Sequence, residues 1–591
     1  AFLRHSTKSL PIPYTMQLLL VGSALGFLLR GDQWEDTLQA SIERLANMDP
    51  HLMLHVFLPP LIFESAASLE WHLFTKSKWY IFALACPGLI LASGLTGLIV
   101  NMIMMQPWGA MNDQCTEGTL SPWTPQAGLL LGVILSATDP VAVVSLLKEM
   151  GCKASLSTAI EGESLFNDGT ALVMFTILIK MVEGDNTEEW LDWVWTFLKM
   201  GVGGALFGTT FAFIVVKWLS KIFNDRLAEI TITLSAAYLC FFVAEYFLHI
   251  SGVIAVACLG IYFGGLGRTA VSPEVAHFLE EFWEMLAFFG NTLIFIVAGT
   301  VIGYKLPLAK MEHYRWLAII YVMCNIIRAS VVGAAYAFFR HCGVELEWKD
   351  QVIAVWGGLR GAVSLSLAMM VFGNYKLCSG VRDTIMFHTA GIVVLSICVN
   401  SSTMPKLVKV LNMDSVAPSK ELIYQHAMKI LQKAGERQEA NLRADHIFDP
   451  TVWDECRKFY FSAPRVKLEK RAASIADRET QEAKEARRRV LMITKKSYWK
   501  QFQDGLLSNY SVKYLMHITD VAIDKNCNLN EWECYSKLIQ LNSTVDRRIN
   551  DLSVYDRRRN RILNILESVP AITFILILVV TSCISGFFLD P

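Results

Sequence analysis

One long apolar stretch of this chain is interrupted by the sequence Leu135-Ser136-Ala137-Thr138-Asp139-Pro140-Val141. Pro140 has no backbone N–H and opposes helix continuity, so backbone groups near Thr138 are freed from helical hydrogen bonding. Unwound backbone at membrane depth persists only where it lines a cavity or is buried in protein. We therefore predict a membrane helix that is broken beside Asp139, with a simple proline kink as the alternative.

The composition of the chain is that of a membrane protein with a polar appendage. The 591 residues are 53% hydrophobic and 18% charged, whereas soluble domains carry about 25% charged residues. The net charge of −1 argues against a nucleic-acid partner. The 13 scattered cysteines match no zinc finger and give no sign of a disulfide scaffold. Twelve windows are candidates to cross the bilayer: residues 10–29, 52–69, 79–105, 127–147, 158–182, 193–216, 227–248, 251–266, 277–304, 314–339, 351–372 and 384–404.

The loops between these windows predict the orientation of the chain, because Lys and Arg concentrate on the cytoplasmic side of a membrane. With the first residue inside, the inside loops carry 14 of these residues and the outside loops carry 7. We therefore predict that both ends of this membrane region are cytoplasmic. Three regions are expected: a transmembrane domain over residues 1–410, a helical cytoplasmic region over 411–566, and the start of a second membrane module over 567–591.

A second apolar window is interrupted at Trp356-Gly357-Gly358-Leu359-Arg360-Gly361-Ala362. Three glycines within five residues weaken a helix and permit an unwound segment. Two broken spans suggest an inverted-repeat transporter, in which half-helix ends face each other near the membrane midplane. Helix N-termini are partly positive and C-termini partly negative. We therefore expect Asp139 to compensate the paired N-termini and Arg360 the paired C-termini.

The window after the first break is rich in carboxylates, and its first half reads Glu161-Gly162-Glu163-Ser164-Leu165-Phe166-Asn167-Asp168-Gly169-Thr170. Helical spacing puts Ser164 and Asp168 on one face. Apolar residues 172–175 follow and place Asp168 deep in the membrane, whereas Glu161 is expected to be interfacial and structural. Burial disfavours the charged form of an aspartate. Asp168 is therefore expected to hold either a proton or a small cation.

Oxygen ligands for a hard cation surround Asp168 in this prediction. They are its own carboxylate, the Asn167 amide, the Ser164 hydroxyl and the freed carbonyls near Thr138, and we predict a Na⁺ site there. Asn167 is neutral, so one carboxylate titrates and one-for-one electroneutral exchange is expected. Arg328 lies in another apolar window and needs a carboxylate or water as its partner. A cation channel and a receptor or scaffold with an inert transporter part are the alternatives.

These motifs, in this order, resemble the sodium/proton exchanger superfamily over about residues 1–410. The resemblance rests on residues 57–64 (Phe-Leu-Pro-Pro-Leu-Ile-Phe-Glu), 137–140, 161–170 and 357–362. It implies an all-α fold of 13 helices with two crossing broken helices, and an elevator-type core that moves against a dimerisation domain in a homodimer. It also implies that Asn167 and Asp168 form an ion-binding pair and that Glu163 and Arg328 form a buried ion pair. Residues 1–5 would then be the tail of a first helix that is largely missing.

The last part of the chain suggests a subtype. A helical cytoplasmic region followed by the apolar segment 570–588 resembles the voltage-gated sperm-type exchanger, in which a voltage sensor and a cyclic-nucleotide-binding domain follow. The plant salt-tolerance type is the next resemblance. The resemblance implies transport of Na⁺ and H⁺ across the plasma membrane, or across the flagellar membrane for the sperm type. It implies no enzymatic activity and no cofactor, since cyclic nucleotide would act only through a region beyond residue 591.

Overall fold

The described part of the chain is entirely helical. The computed structural model describes residues 14–28, 50–104, 123–150, 152–183, 190–222, 225–267, 270–305, 311–339, 347–411, 413, 430, 431, 433, 434, 437, 475–507 and 509–525. No strand occurs among these residues, in agreement with the predicted all-α class. They belong to two compact units, one up to residue 413 and one between residues 414 and 550. The predicted helix tail at 1–5 and the apolar segment at 570–588 lie outside the described residues.

Sixteen α-helices form the described part of the first unit. In chain order they are α1 (Tyr14–Leu28), α2 (Pro50–Ser68), α3 (Trp71–Ala83), α4 (Leu89–Met104), α5 (Pro125–Ser136), α6 (Val141–Glu149), α7 (Ala154–Val182), α8 (Trp190–Leu219), α9 (Arg226–Phe242), α10 (Gly252–Tyr262), α11 (Pro273–Lys305), α12 (Met311–Phe339), α13 (Trp348–Trp356), α14 (Ala362–Gly373), α15 (Ser379–Leu395) and α16 (Ser402–Val410). Short π-helical segments continue several of them: Leu84–Gly88, Val243–Phe247, Phe263–Gly267 and Ser396–Ser401.

Helices occupy all twelve windows that the sequence predicts. Seven are long and apolar enough to cross a membrane: Trp71–Ile103, Ala154–Val182, Leu191–Leu219, Arg226–Phe247, Val275–Tyr304, His313–Phe339 and Ser379–Val410. Shorter apolar helices are Tyr14–Leu28, Pro125–Ser136, Gly252–Gly267 and Ala362–Gly373. The windows 127–147 and 351–372 are each divided into two half-helices, α5 with α6 and α13 with α14. The two predicted interruptions are therefore present.

Local sequence explains where the first broken helix stops and restarts. Helix α5 ends at Ser136, and Ala137 is extended, with ψ of 134°. Pro140 cannot donate to a helical hydrogen bond, and the residue before a proline is disfavoured in helical conformation. Asp139 is that residue. Helix α6 consequently begins only at Val141.

Helix α7 passes through the interior of the first unit. Its consecutive residues 156–160 are all buried, and five consecutive positions cover every face of an α-helix. The helix packs against α3, α5 and α6. The polar side chains of Ser157 and Thr158 in this stretch therefore face protein rather than lipid.

A disulfide at Cys378 marks the connection between α14 and α15. Its partner lies outside the described residues, and the scattered cysteines had given no sign of this bond. Disulfides form in oxidising compartments. The bond therefore agrees with the extracytoplasmic position that the loop charges predict for this connection.

At the opposite end of the second broken helix, an exposed ion pair joins two turns. Lys153 Nζ, just before α7, lies 2.6 Å from Oε1 of Glu347, just before α13. This ammonium group holds the pKa of Glu347 below its usual range. Exposed pairs contribute about 0–1 kcal/mol, so the contact aligns the two helix starts more than it stabilises the fold.

The second unit contains a helical hairpin within its described residues. Helices α17 (Ile475–Gln503) and α18 (Asn509–Lys525) follow each other closely, and Gly505 between them has φ of 74°. This left-handed conformation favours glycine. Tyr498 and Leu515 are buried together between the two helices.

Candidate ion-binding site

The two helix breaks contact each other directly. Asp139 N donates a hydrogen bond to Leu359 O at 2.8 Å. Arg360 Nη1 donates to Ser136 O at 3.1 Å and to Ala137 O at 3.2 Å. Each break thus satisfies backbone groups that the other leaves free, which unwound backbone at membrane depth requires. The two broken helices cross at their interruptions.

Asp139 lies where two half-helices begin. Its Oδ1 accepts a hydrogen bond from Val141 N, the first residue of α6, at 3.1 Å. Its carboxylate also accepts from the backbone N–H of Ala362, the first residue of α14. Because both helix N-termini carry partial positive charge, a single carboxylate faces the two of them.

The C-terminal ends of the other two half-helices have different partners. Arg360 bonds the end of α5, as described above. At the end of α13, Ala354 O accepts from Arg328 Nη2 at 3.3 Å, and Trp356 O accepts from Asn400 Nδ2 at 3.1 Å. From the sequence, Arg360 is expected to compensate both C-termini. The structure divides them between Arg360, Arg328 and Asn400.

Gly361 is expected to be intolerant of any side chain. A Cβ atom built at this position would lie 2.1 Å from Asp139 Oδ2 and 2.2 Å from Asp139 Cβ. Gly361→Ala should therefore displace the carboxylate from the helix N-termini and cost about 1–3 kcal/mol, the usual range for overpacking. Thermal unfolding of the purified protein measures this. The matched control is Gly94→Ala, where an added Cβ meets no atom within 4 Å, and equal melting of the two variants would contradict the prediction.

Asp168 lies on α7, beside the first break, and is half-buried. One helical turn earlier, Ser164 Oγ donates to Thr138 O and ties α7 to the unwound segment. Among the residues described by the structure, no hydrogen bond or ion pair involves the Asp168 carboxylate. A carboxylate that is partly withdrawn from water and unpartnered can bind a proton or a cation.

The neighbouring amide, Asn167, is 3% exposed. Its Nδ2 donates to Ser136 O at 3.2 Å and to Thr138 Oγ1 at 2.9 Å. A carbonyl oxygen can only accept, so the bond to Ser136 fixes the orientation of the amide. Its Oδ1 is buried and finds no partner in the described part of the chain. Since buried polar atoms are nearly always partnered, this oxygen is a candidate ligand for a bound ion.

The cluster offers the donor set that a small alkali cation requires. Besides Asp168 and Asn167 Oδ1, the hydroxyls of Thr138 and Ser164 are buried and keep acceptor lone pairs after the bonds above. Hard cations prefer such oxygen ligands. Nowhere in the described ranges do three or more His, Cys, Asp or Glu side chains gather as a metal-binding group. These oxygens are therefore candidate ligands for a monovalent cation.

Glu163 and Arg328 form an ion pair between α7 and α12. Arg328 Nη2 lies 3.0 Å from Glu163 Oε2, and Arg328 Nη1 donates to Glu163 Oε1. The Arg328 and Glu163 side chains are 13% and 3% exposed. Such bidentate geometry satisfies both charges in place of water. The residue pattern left the partner of Arg328 open, whereas the family resemblance implied Glu163, and the structure places Arg328 against Glu163.

Sequence reasoning missed a polar network in the last span. The π-helical segment Ser396–Ser401 aligns two side chains with the second break. Ser396 Oγ accepts from Arg360 N at 3.2 Å, while Asn400 holds Trp356 O on the other side of the break. The feature of the sequence that could have indicated this network is Asn400, an amide side chain inside the apolar window 384–404. π-Helical turns in α-helices often mark functional sites.

The family of the chain follows from a comparison with known proteins. A family model described as sodium/hydrogen exchanger, transmembrane, matches residues 1–410. The chain belongs to the sodium/hydrogen exchanger family. This is a family of membrane transporters rather than enzymes.

Curated relatives of this exchanger occur in plants and animals. Sodium/hydrogen exchanger 7 of Arabidopsis thaliana is 35% identical over 545 residues, which cover 90% of this chain and 46% of that protein. Sodium/hydrogen exchanger 8 of the same plant is 33% identical over 546 residues, covering 90% of this chain and 70% of that protein. Mouse solute carrier family 9 member C1 is 24% identical over 467 residues, covering 77% and 37%. The chain thus spans about half the length of the first of these relatives.

A solved structure shares the fold of this exchanger. The sodium proton antiporter MjNhaP1 of Methanocaldococcus jannaschii matches with a TM-score of 0.55 at 18% identity, covering 69% of this chain and 95% of that one. The predicted fold class, an all-α membrane protein with the antiporter fold, is confirmed.

Proposed function

We propose that this chain is an electroneutral antiporter that exchanges one Na⁺ for one H⁺, with Asp168 as the ion-binding carboxylate. One observation carries the proposal: Asp168, which is half-buried and has no hydrogen bond or ion pair among the described residues, directly follows Asn167, whose buried Oδ1 lacks a partner there. Family membership supports a transport function. The names of the plant relatives support Na⁺ and H⁺ as the exchanged ions.

Competition at one carboxylate explains the coupling between the two ions. The protonated acid is neutral and has no charge with which to hold Na⁺. The ionised form attracts Na⁺, and the oxygens of Asn167, Thr138 and Ser164 complete its shell. An empty charged carboxylate is disfavoured by its partial removal from water. The site therefore changes sides loaded with one ion or the other.

The proposed stoichiometry rests on the partners of two further carboxylates, Asp139 and Glu163. Asp139 accepts hydrogen bonds from two helix N-termini, and Glu163 is paired with Arg328. Both charges are compensated throughout a cycle and take no part in it. Because Asn167 is neutral, Asp168 is left as the titrating group, and each cycle moves one positive charge in each direction.

Elevator-type alternating access in a homodimer is part of the proposal. The site oxygens come from α7 and from the unwound segment of the first broken helix. These two elements are tied together through Ser164 and Asn167, which supports their movement as one body. A disulfide cross-link between one cysteine introduced in α7 and another in the dimerisation domain should then stop transport.

Electroneutrality supplies the test of this function. In proteoliposomes, an imposed Na⁺ gradient should drive proton movement at a rate that is unchanged when K⁺ and valinomycin set the membrane potential. Protein-free liposomes define the background. A rate that follows the imposed potential contradicts one-for-one exchange. A Na⁺ current without proton movement would favour a cation channel.

The exchanger could belong to either of two subtypes of the family, and each has one supporting observation. The region 411–566, which the sequence predicts to be helical, is followed by the apolar segment 570–588, and this order supports a sperm-type exchanger regulated by voltage and cyclic nucleotide in the plasma or flagellar membrane. The 35% identity to sodium/hydrogen exchanger 7 of Arabidopsis thaliana supports a plant-type plasma-membrane exchanger about as well. Exchange by the protein at its natural length, measured in voltage-clamped cells with and without cyclic nucleotide, separates them.

A further inference from the structure

A groove on the first unit is not used by the transport site. It has a volume of about 670 Å³ and lies between α12, α13 and α16. Its wall includes Ala329 and Gly333 on α12, Val352 and Trp356 on α13, and Lys406 on α16. The volume is within the range of about 300–1,000 Å³ that ligand pockets occupy.

The groove borders a helix that is expected to face lipid. Helix α12 is a candidate membrane span, and Val322 and Ile326 on it are 50% and 51% exposed. In a span, an exposed apolar face lies against hydrocarbon. The groove wall is itself mostly apolar, with Gln351, Thr403 and Lys406 as its polar members. Its occupant must therefore be a molecule with a hydrocarbon chain.

Charge indicates what head such a molecule carries. Lys406 is exposed at the groove, and Lys409 follows on the same helix. Within the described ranges neither lysine has an ion pair, and the described lining contains no acidic side chain. This end of α16 is the predicted cytoplasmic end. The cytoplasmic leaflet carries anionic lipids, which attract basic residues near the surface.

We propose that the groove binds an anionic phospholipid, with an acyl chain between α12 and α13 and the phosphate headgroup at Lys406. The chain would contact Trp356, the last residue of α13 before the second break. The indole Nε1 of Trp356 donates to Thr403 Oγ1 at 2.8 Å, and its carbonyl oxygen accepts from Asn400. The bound lipid would therefore touch the residue that anchors this half-helix.

Photo-cross-linking tests the position of the acyl chain. Phosphatidylserine with a photoactivatable acyl chain is added to the purified protein in phosphatidylcholine vesicles, and cross-linked peptides are mapped by mass spectrometry. We expect cross-links in α12 and α13 at the groove. Gly333→Leu should abolish them, because Gly333 lines the groove and a Cβ atom added there meets no atom within 4 Å, which leaves room for a larger side chain to occupy the space of the acyl chain. Gly94→Leu is the matched control, since Gly94 is equally open and lies elsewhere.

Lysine variants test the headgroup. A basic residue near an anionic surface is worth about 1 kcal/mol, which corresponds to about fivefold in affinity. Lys406→Gln should weaken phosphatidylserine labelling about fivefold, whereas Lys409→Gln, outside the groove wall, should leave it at the parental level. The proposal is overturned if no cross-links map to the groove or if Gly333→Leu leaves them unchanged. It is also overturned if phosphatidylcholine carrying the same photoactivatable chain labels the groove equally well.

The lipid cross-linking result does not depend on the transport proposal. Asp168→Asn removes the proposed ion-binding carboxylate but leaves α12, α13 and α16 untouched. Its phosphatidylserine cross-links should equal those of the parent chain. A failure of lipid labelling therefore contradicts only the lipid-binding proposal. A failure of ion exchange contradicts only the proposal that Asp168 binds the transported ions.

Discussion

Asp168→Asn is expected to abolish Na⁺-dependent proton exchange completely. Asparagine has nearly the shape of aspartate but neither titrates nor carries charge, so it can hold neither a proton nor the counter-charge for Na⁺. Because the Asp168 carboxylate makes no hydrogen bond or ion pair among the described residues, the fold should tolerate the change. Proton flux in proteoliposomes, followed with a pH-sensitive dye after a Na⁺ jump, measures the loss.

Glu161→Gln is the matched control for this variant. Glu161 lies on the same helix, and its Oε1 is 2.7 Å from Nζ of the exposed Lys148; such pairs are worth about 0–1 kcal/mol. It should exchange at close to the parental rate. Added Na⁺ should raise the melting temperature of the parent and of Glu161→Gln by binding the native state, but not that of Asp168→Asn. Exchange that persists without the Asp168 carboxylate would reject the site.

The interruptions of the two membrane helices could be predicted because their causes are local. A proline removes its own backbone donor wherever it stands, so Pro140 indicates a break without any knowledge of the fold. The glycines at 357, 358 and 361 act in the same way through backbone freedom.

Contacts between distant segments could not be predicted, since helical periodicity does not say which faces meet. Several carboxylates were available to Arg328, so the residue pattern did not select one, and Glu163 was expected only from the family resemblance. Ser396 and Asn400 reach the second break because they lie in a π-helical segment. The apolar sequence around them does not indicate where an α-helix changes to a π-helix. The disulfide at Cys378 could not be predicted either, because it depends on which cysteine lies near Cys378 in the folded chain.

Glu163→Gln is expected to destabilise the protein by about 3–5 kcal/mol, the range found when one member of a buried ion pair is removed. The variant leaves the Arg328 guanidinium, 13% exposed, with a neutral amide in place of a bidentate carboxylate. Arg328 also holds the Ala354 carbonyl at the end of α13, so its displacement should loosen the second broken helix. Denaturation of the purified protein in mild detergent measures the change.

Removing both charges should undo most of this loss. Replacing a buried ion pair by apolar side chains of similar volume is often neutral or stabilising, because neither ion then has to leave water. Glu163→Leu/Arg328→Met should therefore be far more stable than Glu163→Gln, short only of the hydrogen bond to the Ala354 carbonyl, worth about 1 kcal/mol. If the pair is structural, the double variant also exchanges ions, since Asp168, Asn167 and Thr138 are unchanged. A stable double variant without exchange would instead make Glu163 or Arg328 part of the transport cycle.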